Sequence, residues 1–258
     1  MFGKKSLFFN GSLYDSYHNA GKSYFYQKLE DIPLWLNLAR KYGEPILELA
    51  CGTGRISIPL AEQGFQVTGI DISQSMLDVA KQKSSQVEWL EADIRDFKLE
   101  KKFALIILPY FLLMGLLKLK DIETCLDCVR RHLQPGGTLI IDVMNPSRKF
   151  LLDLLLLSQK RFLDCIFPNP EGKDNIVVTI ERGYVVEQQI LIEKLFYNIP
   201  GETEEVVDEL KLRLYFPEEL EMLLKYNGFT IERKFGDYDM TPFTSESPQQ
   251  IVVCKASL

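Results

Sequence analysis

The sequence predicts an α/β fold: a doubly wound, seven-stranded, mostly parallel sheet with an antiparallel β segment inserted after the fifth strand. Three observations predict it. Five short apolar runs between Ile46 and Met144 are interleaved with three helical patterns, the signature of strands that return through covering helices. Three segments of period two follow without a convincing long helix. A final helix and two strands then close the chain.

The first element is helical, because Leu29, Ile32, Leu36 and Ala39 recur at helical spacing across Tyr24 to Tyr42, where Pro33 kinks or splits the run. Ile46 to Ala50 is a strand, followed by a glycine turn and a helix that ends at Gly64. FQVTGID is the second strand, and SQSMLDVAKQK is a helix with Ser73 as its N-cap. VEWLEAD and FALIIL are strands three and four, and DIETCLDCVRRHL is a helix. The turn Pro135-Gly136-Gly137 introduces strand five, TLIIDVM.

Between about Arg161 and Phe216, IVVTIERG, VVEQQILIEKLFYNI and DELKLRLYF alternate as antiparallel strands do. PEELEMLLKYNG is a helix with Pro217 at its first position and Gly228 past its end, followed by FTIERKF and QIVVCKA. No Gly/Ser tract separates these parts. The expectation is one domain over residues 1–258: an N-terminal helical lid (1–42), a ligand-binding core (43–145), the antiparallel insertion (146–216) and the closing elements (217–258).

At 258 residues, 46% hydrophobic and 26% charged, the chain has the composition of a folded globular protein. Its net charge of −6 disfavours nucleic acid as a partner. Five cysteines are an odd number and do not read as a disulfide framework, and the first residues lack the pattern of a signal peptide. The expected location is the cytoplasm, as a monomer or homodimer and without a membrane. The apolar stretch Phe103 to Leu119 is broken by Pro109 and Gly115 and reads as a buried strand, a loop and a helix start. Cys125 and Cys128 form a lone CxxC inside a helix, read as two core-facing thiols one turn apart. LLDLLLLSQKRF reads as a helix with a core or subunit-contact face.

The strongest functional signal is Glu48-Leu-Ala-Cys-Gly52-Thr-Gly54-Arg55, joining the first strand to the first following helix, where a doubly wound sheet presents a ligand site. A GxGxxG dinucleotide loop needs a third glycine, and Ser57 stands there, so a nicotinamide dehydrogenase is disfavoured. Asp71 ends the second strand, where a carboxylate accepts from both hydroxyls of an unphosphorylated ribose. Asp93, at the end of the third, can accept from an adenine amine.

In the order ELACGTGR, GIDISQSML, EADIRDF and LQPGGTLIIDV, the segment from roughly Tyr42 to Met144 resembles the class I S-adenosylmethionine-dependent methyltransferases. The resemblance implies a Rossmann-like fold, S-adenosylmethionine as cofactor, S-adenosylhomocysteine as product, and a cofactor loop running through Ala50, Gly52, Gly54 and Arg55. Glu48 would help orient the amino group, Gly52 and Gly54 would pass under the methionyl part, and Asp71 would hold the ribose. Ile72 and Met76 would flank the adenine, with Asp93 and Ile94 at its amine edge and Leu108 near the amino-acid part.

The segment Tyr14 to Tyr24 resembles the lid of small-molecule methyltransferases, including those acting on amino sugars. By that likeness Tyr17 faces the acceptor and Tyr24 the cofactor's carboxylate, although both also suit packing of a helix onto the sheet. Amino-sugar enzymes carry a histidine in the loop after strand four, where this sequence has Gly115. Ile107-Leu108-Pro109-Tyr110 also lacks the polar residue of enzymes that methylate base or glutamine amides.

Methyl transfer asks chiefly for alignment and desolvation, and for removal of a proton where the acceptor is protonated. Of the two histidines, His132 sits at a helix end and reads as structural, which leaves His18 in the lid as the candidate base. Tyr110 occupies a position that contacts the acceptor in the family. The expected activity is methyl transfer to N or O of a small molecule. A catalytically idle S-adenosylmethionine-binding protein with a regulatory or assembly role fits the same loop and stays open.

Overall fold

Apolar runs with two buried faces become the central strands of a seven-stranded sheet in the computed structural model, which describes residues 10–20, 30–158, 160–172 and 174–256. Its strands are β1 (Ile46–Leu49), β2 (Val67–Asp71), β3 (Glu88–Glu91), β4 (Phe103–Leu108), β5 (Leu133–Met144), β10 (Phe229–Phe235) and β11 (Gln249–Ala256), in the spatial order β10-β11-β5-β4-β1-β2-β3. The pairs among β1 to β5 are parallel, whereas β11 runs antiparallel to both β5 and β10. The strand order reverses between β1 and β4, which opens the crevice at their carboxyl ends.

Helices α1 (Gly11–Asn19), α2 (Ile32–Tyr42), α3 (Ser57–Glu62), α4 (Gln74–Lys83), α5 (Leu119–His132), α6 (Arg148–Leu157) and α7 (Pro217–Tyr226) accompany the strands. Alternation along each strand sends Leu139, Ile141 and Val143 into a core with Cys125, Cys128 and Leu220. Ile46, Ile107 and Ile140 enter the opposite core, with Trp35, Leu38 and Leu60. Both CxxC thiols are fully buried as expected. His132 is structural, accepting from the Leu99 amide at 3.0 Å while its other ring nitrogen lies 2.7 Å from the Cys128 carbonyl.

The inserted segment is a four-stranded antiparallel sheet of β6 (Arg161–Pro168), β7 (Asn175–Val185), β8 (Ile190–Asn198) and β9 (Val206–Arg213). Its first strand escapes a period-two reading because the register shifts between Leu163 and Cys165. The bulge buries Asp164 and Cys165 in succession and breaks the alternation. A short 3₁₀ turn, Val186–Gln188, divides the long run expected as one strand. The inner face packs Phe167, Ile176, Ile180 and Leu195 against Leu13 and Tyr17 of α1.

Two further boundaries differ from expectation. Helix α2 begins at Ile32 with Pro33 in its first turn, where the missing amide costs nothing, and the expected run from Tyr24 to Leu29 lies outside the described residues. Strand β5 begins at Leu133, pairing first through Leu133 to Phe103 and then through Thr138 to Leu105, with Gln134–Gly137 looped out between. On α6, Leu154 is buried while Leu152, Leu155 and Leu156 are exposed. Among the described residues no helix is long and apolar enough to cross a membrane, and no cluster of His, Cys, Asp and Glu could hold a metal ion.

Candidate active site

The glycine loop turns sharply because Ala50, Gly52 and Gly54 all take positive φ, at +49°, +55° and +87°. Around Gly52 no heavy atom of the described residues beyond its chain neighbours lies within 4 Å of where a Cβ would stand, so they leave open space there. Gly54 differs. A Cβ there would meet the Trp89 ring at 2.7 Å and Ile58 at 2.9 Å, so close packing against β3 and α3 explains its glycine.

Asp71, 6% exposed, is anchored by two amides: Gly52 N–H donates to Oδ2 and Ser73 N–H to Oδ1, each at 2.8 Å. Burial pushes its carboxyl up, and the Ser73 and Gly52 amides pull it back. The oxygens keep lone pairs for further donors. Next to it Ile72 is 40% exposed, an aliphatic side chain left uncovered, while Met76 at the start of α4 is buried. A tethered carboxylate, open space over Gly52 and a bare isoleucine fit an adenosyl group.

Glu48 is buried beneath the loop and accepts from the Ser57 hydroxyl. Burial raises its carboxyl to about 7, against the lowering influence of Ser57 and Arg55. The Arg55 guanidinium binds Asp31 through two nitrogens, at 2.5 and 3.0 Å, and the Trp35 indole donates to the same carboxylate at 2.9 Å. Asp31 therefore does not cap α2 with its side chain.

Asp93 and Ile94 stand past the end of β3. The Asp93 carboxylate is taken up by Arg95, whose Nε lies 2.9 and 3.1 Å from its two oxygens, so an adenine amine would meet an acid already paired. Leu108 is buried among Leu47, Leu49 and Ile106, which leaves only its main chain at the end of β4. Tyr24 lies outside the described residues.

Helix α1 joins this loop to a second group of residues. Asp15 accepts from the Thr53 hydroxyl at 2.6 Å and pairs with Lys83 at 2.5 Å. One turn on, the His18 ring lies 4.2 Å from Tyr14, 5.6 Å from Tyr17 and 5.3 Å from Tyr110. Tyr17 donates to the buried Asp164 of β6 at 2.6 Å. The Arg55 guanidinium stands 5.5 Å over the Tyr110 ring. All three residues expected on the acceptor side thus share one cluster.

Burial lowers His18 to about 4, reinforced by Arg55, so its imidazole is neutral at physiological pH. Its Nε2 is buried and has no hydrogen-bond partner among the described residues. Tyr17 and Tyr110 are both pushed up, chiefly by burial, and stay un-ionised; Tyr14 rises to about 12 for the same reason. Sequence reasoning missed Tyr14, Asp15, Asp31, Asp164 and Asp142. Burial raises Asp142, in β5, to about 7, and its one sequence signal is a lone acid inside the apolar run TLIIDVM.

A family profile described as a methyltransferase domain matches residues 46–137, from β1 to the loop inside β5. The protein named "Putative methyltransferase YqeM" from Bacillus subtilis (strain 168) is 31% identical over 220 residues, covering 83% of this chain and 84% of that protein. The cypemycin N-terminal methyltransferase of a Streptomyces species is 26% identical over 214 residues, 82% of each chain. Among solved structures, the CcbJ methyltransferase from Streptomyces caelestis matches with a TM-score of 0.78 at 21% identity, over 97% of this chain and 98% of its own, a likeness of fold. Extended likeness to YqeM, the matched domain and the Asp71-tethered glycine loop converge: the chain belongs to the class I S-adenosylmethionine-dependent methyltransferases.

Proposed function

We propose that the chain methylates a small molecule held between α1, the Tyr110–Phe111 corner and the inner face of the second sheet, releasing S-adenosylhomocysteine. The supporting observation is that α1 touches both halves of such a site: Asp15 bonds the glycine loop and His18 meets the Tyr110 ring. When bound, S-adenosylmethionine supplies a methyl group activated by a sulfonium. Asp71 would take the ribose hydroxyls, Glu48 the amino group, and Ile72, Met76, Asp93 and Ile94 the adenine.

On the acceptor side, the residues orient and exclude water more than they move protons. A histidine at about 4 is too weak a base to strip a hydroxyl. Its neutral Nε2 can instead accept from an N–H, and a neutral amine needs no proton removed before it attacks. Nitrogen is therefore the atom this cluster suits, and the relative named for N-terminal methylation of cypemycin supports that choice. Tyr110 contributes a hydroxyl and a ring wall, and Tyr17, whose hydroxyl is committed to Asp164, contributes its ring.

In the same reading residues 1–42 act as a lid of which α1 is the described helix next to the pocket, 43–145 bind cofactor, 146–216 wall the acceptor and 217–258 complete the sheet. The acidic chain works in the cytoplasm as a monomer or homodimer, without nucleic acid. Calorimetry with S-adenosylmethionine and S-adenosylhomocysteine, with nicotinamide dinucleotide as competitor, tests the cofactor half. A panel of amines and alcohols assayed for S-adenosylhomocysteine release tests the other half. Cofactor binding with no turnover on any acceptor would favour an idle binding protein, and no binding would reject the assigned site.

A further inference from the structure

Tyr110 and Phe111 both stand in the left-handed region, with φ of +55° and +60°, which bulky residues adopt only where their surroundings hold them. Asp142 does the holding. Its Oδ2 accepts the Tyr110 amide at 3.2 Å, and its main-chain carbonyl accepts the Phe111 amide at 3.1 Å. The same Oδ2 accepts the Tyr238 hydroxyl, from the connection between β10 and β11, at 3.0 Å. One residue of β5 thus satisfies both amides of the corner that follows β4.

Stability does not explain a carboxylate here. Asp142 is fully buried and its Oδ1 has no hydrogen-bond partner among the described residues, an arrangement that costs free energy relative to an apolar side chain. Its neighbours along the strand, Ile140, Ile141 and Val143, are apolar and equally buried. What a leucine at this position could not do is accept from Tyr110 and Tyr238.

We propose that Asp142 is a positioning residue for methyl transfer, fixing the Tyr110–Phe111 corner so that the Tyr110 ring faces His18 and Arg55, with Tyr238 setting the carboxylate's rotamer. The proposal rests on the reading that Tyr110 faces the acceptor. It differs from a cofactor-binding role, because Asp142 acts through Tyr110 and leaves the Asp71 cradle untouched.

The test uses the full chain labelled with fluorotyrosine, its Tyr110 ¹⁹F resonance assigned through Tyr110→Phe. Asp142→Leu should move that resonance while leaving S-adenosylmethionine affinity within about threefold, since the cofactor contacts remain. Asp142→Asn, which keeps an oxygen for both donors, should restore it. With an acceptor in hand, Asp142→Leu should lower kcat roughly 10- to 100-fold with the cofactor KM unchanged. A Tyr110 resonance unmoved in Asp142→Leu, or loss of cofactor binding in that variant, overturns the proposal. If the leucine variant does not fold, Tyr238→Phe decides: a shifted Tyr110 resonance supports the proposal and an unmoved one overturns it. Failure of the underlying reading shows separately, as a Tyr110→Phe enzyme with unaltered acceptor kinetics beside an intact resonance shift.

Discussion

The Tyr17 hydroxyl and the Asp164 carboxylate meet at 2.6 Å across 147 residues of sequence, tying α1 to the bulge of β6. Both side chains are buried, so Tyr17→Phe removes a donor from a carboxylate that water does not reach. We expect a loss of about 1–3 kcal/mol in denaturant unfolding, with cofactor affinity unchanged in calorimetry.

Asp71→Ala takes away the acceptor that Gly52 and Ser73 hold in place. Affinity for S-adenosylmethionine should fall by about 1–3 kcal/mol. A dissociation constant equal to that of the unaltered chain would remove Asp71 from the site.

Gly54→Ala should act on the fold before it acts on the cofactor. The added Cβ meets Trp89 at 2.7 Å and the backbone has a φ of +87°, so a loss of about 1–3 kcal/mol in unfolding free energy is expected from denaturant titration. Full stability with lost binding would show instead that the glycine keeps space for the ligand.

Opposing titrations shape the pH dependence. Glu48 rises from 4.5 to about 7 on folding, so the folded state binds the extra proton and Glu48's share of stability, present below 4.5, is lost as pH rises through about 7. His18 falls from 6.5 to about 4, so the unfolded state binds the extra proton there. Its share is present above 6.5 and lost as pH falls toward 4. Glu48→Gln should therefore make unfolding free energy climb more steeply between pH 4.5 and 7, and His18→Gln should flatten the acid side. Parallel pH profiles for all three proteins would contradict both shifts.

Neighbours on α6 should respond oppositely. Leu154, 3% exposed, should cost about 2–5 kcal/mol on replacement by alanine. Leu155, 66% exposed, should change stability by no more than about 0.5 kcal/mol. Equal losses in thermal unfolding would mean that the exposed face is covered in solution.

The strands, their order along the chain and the glycine loop were legible because each depends on neighbours a few residues apart. Ser73 caps α4 and accepts from the Met76 amide, as a serine before a helical run should. The bulged strand β6 was not legible, since Asp164 breaks the period that marks a strand. Likewise, no local pattern links Arg55 to Asp31, Tyr17 to Asp164 or Tyr238 to Asp142, which are 24, 147 and 96 residues apart. The sequence supplied the side of the site that a loop and two strand ends build. The side that the second sheet and the closing strands build depends on tertiary approach.

All five cysteines are free and buried, so the chain carries its own chemical clock. A thiol reagent in solvent can react with Cys51 only when the glycine loop lifts, and with Cys125, Cys128 and Cys254 only when the central sheet parts from its helices. The interval between those labelling rates reads loop opening separately from whole-molecule unfolding, without any probe being installed. A cofactor seated on the loop should slow the first reaction directly, which makes Cys51 alkylation a binding assay that needs neither acceptor nor turnover.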